Sequence, residues 1–252
     1  MLSPMSSAAI ILVGLTALAA ACLQAATGLG FALVLTPVLF AVLSPAGAII
    51  TVTALGLELN LLVLLAERRR PVVAWAEVLP ILAAAVPGTV CGVLILRALP
   101  KPVLQIAVGV LVIAVAVLRV RMRRPAVTHG GSVRRLTLGL VTGALTTSSG
   151  VSGPPLALWF SHRALRPTEL RDSLSASFLA IGAIGGFALL PVLGRAHLSA
   201  SLLAVGLACV IGGHALGRRA FAALDARGFE PLLLAVILIA GLASVVAGLA
   251  SV

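Results

Sequence analysis

Apolar segments alternate with short polar loops along almost the whole chain. Few charged residues interrupt the segments 45–66, 72–96 and 101–118 in the first half and 168–192, 197–216 and 229–252 in the second. Each of these segments approaches or exceeds the roughly 20 residues that a helix needs to cross a bilayer. The pattern therefore predicts an all-α, polytopic membrane protein.

Two other apolar stretches are broken by glycines and small polar residues. The first break, at 27–30, separates 7–26 from 31–43, and the second, at 146–155, separates 136–149 from 154–160. Pro154 and Pro155 lack amide hydrogens and glycine favours a bend, so no continuous helix passes through the second break. Inside a bilayer, the backbone groups released in this way are tolerated only where they line a cavity. Each break is therefore expected to form part of a binding site.

The order of the segments repeats, with a broken hairpin followed by three long helices in each half. Gly28–Phe31 aligns with Gly150–Gly153 at an offset of 122 residues, and Pro87–Gly92 aligns with Gly212–Gly217 at an offset of 125. An internal repeat of this kind is common in transporters. We therefore divide the chain into a first repeat (1–120), a basic cytoplasmic linker (121–134) and a second repeat (135–252).

The positions of the basic residues predict how the two repeats are oriented. If each broken stretch crosses the membrane once, ten Lys or Arg residues lie on one face and eight on the other. If each broken stretch returns to its own side, fifteen arginines share one face, and Arg97, Lys101 and Arg195 occupy the other. Cytoplasmic loops carry an excess of positive charge, so the second arrangement is favoured. It predicts inverted repeats with both termini outside, whether the first hairpin is re-entrant or consists of two full spans.

Composition agrees with a membrane protein and excludes several other classes. The chain has 252 residues, of which 61% are hydrophobic and 10% charged, with a mean hydropathy of +1.21; soluble domains are roughly a quarter charged. The net charge of +11 lies in short clusters between apolar segments, which fits membrane orientation and not nucleic-acid binding. Cys22, Cys91 and Cys209 stand alone, so no disulfide, metal or cofactor is predicted.

The N-terminal segment and the high content of arginine and alanine bear on the location of the protein. Residues 8–21 resemble the apolar region of a signal peptide, but no basic residue precedes them and apolar character resumes after Gly30. We therefore expect this segment to stay in the mature protein. The abundance of arginine and alanine indicates a GC-rich bacterium and hence its cytoplasmic (inner) membrane. No oligomeric state follows from the sequence.

The two breaks supply the residues predicted to bind substrate. Amides at helix starts and neutral hydroxyls offer hydrogen bonds and positive dipole ends to a small oxyanion, without a fixed charge that would trap it. The alternative is that small residues merely permit close helix packing. The predicted binding residues are Gln24, Thr27, Gly28 and Gly30 from the first break, and Thr147, Ser148, Ser149, Ser152 and Gly153 from the second.

Three polar residues outside the breaks are predicted to take part in coupling or gating. Glu58 lies deep in an apolar segment near Asn60, where a carboxyl group is costly unless it is paired, protonated or facing water. A proton-carrying role is one interpretation, and a neutral carboxyl group bonded to the hairpin backbone is the other. Arg171 is positioned to attract an anion at the cytoplasmic mouth; the alternative is a positive-inside anchor paired with Asp172 or Glu169.

The residues of both breaks resemble a known family. Gly28-Leu29-Gly30-Phe31 followed by Pro37, the stretch 149–156 and Leu170-Arg171-Asp172 together are similar to the sulfite exporter TauE/SafE family. The resemblance covers nearly the whole chain. It implies transport of sulfite, organosulfonates or related sulfur-containing anions across the cytoplasmic membrane. Phe31 stands at a position that is often small in that family.

Two alternatives to transport follow from the same residues. Gly150-Val151-Ser152-Gly153 fits the GxSG pattern of rhomboid intramembrane proteases, with His214 as a base; serine catalysis then needs the hydroxyl within hydrogen-bond reach of the imidazole. The rhomboid serine begins a regular helix, however, whereas Pro154 and Pro155 follow here. A non-transporting scaffold gives no reason for two matched breaks. Transport of a small anion, with protons as a possible partner, is the primary hypothesis.

Overall fold

All elements of the described chain are helical, which confirms the predicted fold class. The computed structural model describes residues 6–65, 70–121, 131–161, 163, 165–196, 199–223, 238–239 and 241–250. The helices are α1 (Ser7–Thr27), α2 (Phe31–Val42), α3 (Pro45–Leu65), α4 (Trp75–Ala98), α5 (Lys101–Arg121), α6 (Ser132–Ser149), α7 (Gly153–Ser161), α8 (Pro167–Leu189) and α9 (Ala200–Ala223), with a 3-10 helix at Leu190–Arg195. A further helix covers residues 241–249.

Five helices of the described chain are long and apolar enough to cross a membrane. They are Ser7–Ala25, Pro45–Leu65, Trp75–Ala98, Thr168–Gly194 and Ala200–Arg219. By contrast, α2 has 12 residues and α7 has 9, or about 18 and 14 Å at 1.5 Å per residue. Neither covers the roughly 30 Å of a hydrocarbon core. Much of the predicted linker (122–130) and of the last predicted span (229–237, 240 and 251–252) lies outside the described residues.

Both breaks end a helix in the same way. α1 ends at Gly28, which has a φ of 81° and donates its amide to the Gln24 carbonyl at 2.8 Å. α6 ends at Gly150, which has a φ of 71°. Left-handed backbone of this kind suits glycine, because a Cβ makes it unfavourable. The sequence therefore stops both helices at the predicted positions.

Two helix pairs pack through closely spaced glycines. A Cβ on any of these glycines would collide with a backbone carbonyl of the neighbouring helix, so the helices approach as closely as their backbones allow. The contacts are Gly88 with Leu140 and Gly92 with Ala144 between α4 and α6, and Gly213 with Leu18 and Gly217 with Cys22 between α9 and α1. The two sets of contacts correspond in the sequence. The α6 residues lie 122 positions after their α1 equivalents, and the α9 glycines lie 125 positions after their α4 equivalents.

The same contacts give the relative directions of the helices. α4 runs parallel to α6 and α1 runs parallel to α9, because the residue numbers of the contacting positions rise together. α3 and α8 are antiparallel, since Leu57 contacts Gly182 whereas Ile50 shares a groove with Leu190. The helix at 241–249 is antiparallel to α5, and Ser244 Oγ donates to the Gln105 carbonyl at 2.9 Å.

The buried core is divided between two clusters. The larger joins α1, α2, α3 and α5, with Phe40 and Leu39 fully buried. The smaller joins α4, α7 and α8 around Phe160 and Ile181. Large apolar side chains such as Leu15 and Phe187 point outward, at 63% and 75% exposure. Outward-facing apolar side chains are expected of helices that contact lipid.

Candidate functional site

The two breaks meet at one cavity. About 70 Å³ of it is open to water-sized molecules. One water needs roughly 10–15 Å³ on such a measure, so the space fits a few waters or one small anion. The cavity borders the middle turns of α3, from Val52 to Asn60, and of α8, at Phe178 and Gly182. It therefore lies halfway along two of the long apolar helices.

The two predicted repeats contribute positions to the cavity wall that correspond in the sequence. Twelve of the 18 lining residues form six pairs separated by 122 positions. The pairs are Gln24 and Thr146, Leu29 and Val151, Gly30 and Ser152, Phe31 and Gly153, Gly56 and Phe178, and Asn60 and Gly182. The repeat found in the sequence thus converges on this cavity.

A chain of amide hydrogen bonds joins the first break to α3. The Phe31 amide donates to Gln24 Oε1 at 3.3 Å, Gln24 Nε2 donates to Asn60 Oδ1 at 3.1 Å, and Asn60 Nδ2 donates to the Gly56 carbonyl at 2.7 Å. The direction of the chain is fixed, because a backbone N–H can only donate and a carbonyl can only accept. Each side-chain amide keeps a second N–H. Gln24 and Asn60 are both 5% exposed and border the cavity, so these N–H groups are available to a bound ligand.

The hydroxyls of α6 make hydrogen bonds inside the protein. Thr147 Oγ1 donates to the Thr89 carbonyl at 2.8 Å. Ser148 and Ser149 donate to the carbonyls four residues earlier, at 2.7 and 2.8 Å. Bonds of this type are a common alternative to ligand contact for Ser and Thr in helices.

The predicted binding residues fall into three groups. Gln24, Gly30, Ser152 and Gly153 line the cavity. Gly28 caps α1 beside it, while Thr147, Ser148 and Ser149 occupy the last turn of α6 and are not among the lining residues. Thr27 ends α1, and its side chain lies outside the described part of the structure. A substrate role for each of these residues stays a prediction.

Sequence reasoning missed several residues of the cavity wall. Asn60 was assigned to coupling but borders the cavity together with Gln24. Gly56, Phe178 and Gly182 lie in uninterrupted helices, which show no local irregularity. The offset of 122 was the available signal, since it pairs Gly56 with Phe178 and Asn60 with Gly182.

The two charged residues predicted for coupling lie outside the cavity wall. Glu58 projects from α3, and its Oε2 atom is buried with no hydrogen-bond partner among the described residues. Arg171 lies against the first break, with its Cγ 3.8 Å from the position a Cβ would take on Gly28. Ile49, 122 residues earlier, lies likewise against Gly150, at 3.5 Å. Each capping glycine is thus covered by the equivalent position of the other repeat.

Asp172 and Ser173, which follow Arg171, hold the connection between α3 and α4. Asp172 Oδ2 accepts the Val72 amide at 2.8 Å, and Ser173 Oγ accepts the Ala74 amide at 2.9 Å. Asp172 is 3% exposed, and a buried carboxylate is stabilised by such bonds. Asp172 and Ser173 therefore bind the loop before α4, a role that the sequence analysis did not predict for either residue.

The cavity has no metal-binding or protease-like arrangement in the part of the chain that is described. No three His, Cys, Asp or Glu side chains come together there as a metal site would require. Ser152 lines the cavity, whereas His214 is buried in α9 and is not among the lining residues.

Comparison with known proteins identifies the family. The family model described as Sulfite exporter TauE/SafE matches residues 13–244, nearly the whole chain. No curated protein and no solved structure matches the chain. The family is one of transporters and not of enzymes. Five apolar helices, two breaks that meet at one cavity and this match lead to the same conclusion: the chain is a multi-pass membrane protein and belongs to the TauE/SafE sulfite exporter family.

Proposed function

We propose that the protein transports a small sulfur-containing oxyanion, such as sulfite, which binds in the cavity between the two breaks. The observation that carries this proposal is the cavity wall itself. It presents unused amide N–H groups of Gln24 and Asn60, and no charged side chain is found among the described residues that line it. Neutral donors stabilise an anion and still let it leave.

The first turn of α2 supports the same assignment. Gly30, Phe31, Ala32 and Leu33 all border the cavity, and the first amides of a helix have no partner within the helix. Because the Phe31 amide donates to Gln24, the amides of Ala32 and Leu33 are the ones left for an anion. The helix dipole adds partial positive charge at that end. α7 begins with Gly153, Pro154 and Pro155, and its prolines have no N–H to offer. The anion is therefore bound mainly by the first repeat.

Alternating exposure of the cavity is the proposed transport mechanism. The equivalent glycine contacts of the α4–α6 and α1–α9 pairs, and the antiparallel packing of α3 on α8, support two inverted repeats around the site. In such folds one repeat moves against the other while the site stays near the midplane. The cytoplasmic-membrane location, both external termini and the boundaries of the two repeats belong to this proposal.

Proton coupling through Glu58 is part of the proposed mechanism. Its buried, unpartnered Oε2 atom is most easily accommodated in the neutral, protonated form. Leu55, one turn earlier on the same face of α3, contacts Gly206 of α9, and His214 is the buried titratable residue of that helix. A carboxyl group at this helix contact can change its protonation as α3 and α9 separate.

Transport by purified protein in liposomes tests the proposed function. Vesicles loaded with sulfite, sulfate, thiosulfate or sulfoacetate are assayed for efflux with the wild type, Gln24→Leu and Gln105→Leu. Gln105 is a matched control, because it is equally buried but donates to the Phe40 carbonyl away from the cavity. We expect Gln24→Leu to reduce sulfite flux about tenfold or more, as the loss of hydrogen bonds to a charged group implies. Absence of flux with every anion would instead favour the non-transporting scaffold.

A further inference from the structure

Two phenyl rings stand in the cavity wall, and each packs against a glycine. The Phe31 ring has its Cε1 atom 4.0 Å from the position a Cβ would take on Gly56. The Phe178 ring has its Cζ atom 3.6 Å from the corresponding position on Gly153. All four residues line the cavity. Each ring therefore lies at van der Waals distance from the place that a side chain on the facing glycine would occupy.

The two contacts are equivalent, but ring and glycine are exchanged between them. The offset of 122 relates Phe31 to Gly153 and Gly56 to Phe178. In the first repeat the ring belongs to the helix that starts at the break, and in the second it belongs to the long central helix. Because equivalent positions face one cavity, a ring at all four would fill it. The exchange leaves one ring and one glycine in each half.

The two rings differ in how firmly the surrounding protein holds them. Phe31 is 2% exposed, and its amide is tied to the Gln24–Asn60 chain that ends on Gly56. Phe178 is half-buried in α8. The fully packed Phe31 ring has little rotational freedom, since protein interiors are close-packed. Both rings border the roughly 70 Å³ cavity and limit the space left for a ligand.

We propose that Phe31 and Phe178 determine specificity by setting an upper limit on substrate size, so that the protein accepts compact oxyanions and excludes organic sulfonates larger than a methyl derivative. The inference rests on the proposed function of the cavity. The amide donors select for an oxyanion head group, and the rings reject a substituent that extends beyond it. Such steric discrimination amounts to about tenfold or more per added methylene when the wall cannot yield.

A size series of anions measures the limit directly. Sulfite, methanesulfonate, propane-1-sulfonate and benzenesulfonate are compared in liposomes for the wild type, Phe31→Ala and Phe178→Ala. Phe187→Ala is the control, because this phenylalanine is on the same helix as Phe178 but is 75% exposed. We expect the propanesulfonate-to-sulfite flux ratio to rise about tenfold or more in the two cavity variants and to stay at the wild-type value in the control.

The glycine partners allow a test in the opposite direction. A Cβ on Gly56 or Gly153 meets its nearest atom at 4.0 or 3.6 Å, an ordinary contact, and neither glycine has a positive φ. Gly56→Ala and Gly153→Ala are therefore expected to fold while narrowing the cavity. The methanesulfonate-to-sulfite flux ratio should fall in both.

The possible outcomes separate the size limit from the proposed function. Wild-type flux with the same anion ratios in all ring and glycine variants contradicts the size limit but leaves the proposed function intact. Absence of wild-type flux with every anion contradicts the proposed function itself. If the alanine variants do not elute as folded protein in size-exclusion chromatography, Phe31→Leu and Phe178→Leu take their place. Gly56→Ala and Gly153→Ala still test whether a narrower cavity lowers the flux of the larger anion.

Discussion

At the scale of single residues, the two capping glycines differ in the space around them. Gly28 and Gly150 both have a positive φ, but a Cβ on Gly150 would lie 2.7 Å from Val52 Cγ1, whereas the nearest atom to one on Gly28 is 3.8 Å away. Gly28→Ala should cost about 1–2 kcal/mol for the left-handed backbone. Gly150→Ala should cost about 1–3 kcal/mol more for the clash.

Thermal unfolding in detergent measures this difference. Gly212→Ala is the control, because nothing lies within 4 Å of its added Cβ and its φ is not positive. Alanine there is expected to leave the melting temperature unchanged or raise it, since alanine favours helix. Equal melting temperatures for Gly28→Ala and Gly150→Ala contradict the expected clash between a Cβ at position 150 and Val52.

The second residue-scale prediction concerns Glu58. Glu58→Gln removes the ionisable group but keeps its shape, so exchange of sulfite without a gradient should continue near the wild-type rate. Stimulation of uptake by a pH gradient should disappear, because no proton can be carried at this position. Flux is measured in liposomes with and without the gradient. Glu77→Gln, near the start of α4 and hydrogen-bonded to Trp159, is the control and should retain the stimulation.

Cavity residues could be predicted from the sequence where a helix is broken, and not where a helix is continuous. Gly30, Ser152 and Gly153 were predicted from the breaks, and the structure places them in the cavity wall. Phe178 and Gly182 were not predicted, because their helix continues past them and only tertiary packing brings them to the cavity. Whether the hydroxyls of Ser148 and Ser149 donate to a ligand or to a carbonyl of their own helix also cannot be read from the sequence.

At the scale of helices, the glycine contacts of the two equivalent pairs should have equal importance. Gly92 of α4 and Gly217 of α9 each face a carbonyl of the partner helix, and a Cβ would also approach a side chain, Thr147 or Ala25 respectively. Gly92→Ala and Gly217→Ala are each expected to lower stability by about 1–3 kcal/mol, as overpacking does. Gly186→Ala, with open space around its Cβ, is the control.

Comparing the two variants tests whether the α4–α6 and α1–α9 contacts are equivalent, as the predicted repeat requires. If the two contacts are equivalent, both variants should lower the melting temperature by similar amounts and reduce flux in proportion to folded protein. A large loss for one and none for the other contradicts the equivalence. The short lengths of α2 and α7 could be predicted from the sequence. Glycines, prolines and polar residues mark where these two helices begin and end.

At the scale of the whole molecule, hydropathy and arginine distribution were sufficient to predict an all-helical membrane protein with broken hairpins. The contact between α1 and α9 was not predictable, since residues as far apart in the chain as Leu18 and Gly213 leave no local pattern. The glycines on α9 and α4 offered a partial signal. Their spacing matches at an offset of 125, but it does not specify which partner helix they face.

The last prediction concerns the orientation of the whole chain. In a variant without Cys22, Cys91 and Cys209, single cysteines replace Ser6, Leu99 or Gly131, all of which are exposed in the structure. If each hairpin returns to its own side, Ser6 and Leu99 lie outside and Gly131 lies in the cytoplasm. A membrane-impermeant maleimide should then label the first two in intact cells and Gly131 only after permeabilisation.

A single crossing by each broken stretch gives a different labelling pattern. Ser6 and Gly131 then share one side of the membrane, and Leu99 lies on the other. The antiparallel packing of α3 on α8 agrees with returning hairpins, because a single crossing by each broken stretch makes these two helices parallel. Labelling of Ser6 and Gly131 from the same side therefore contradicts the inverted repeats, even if the cavity binds sulfite as proposed.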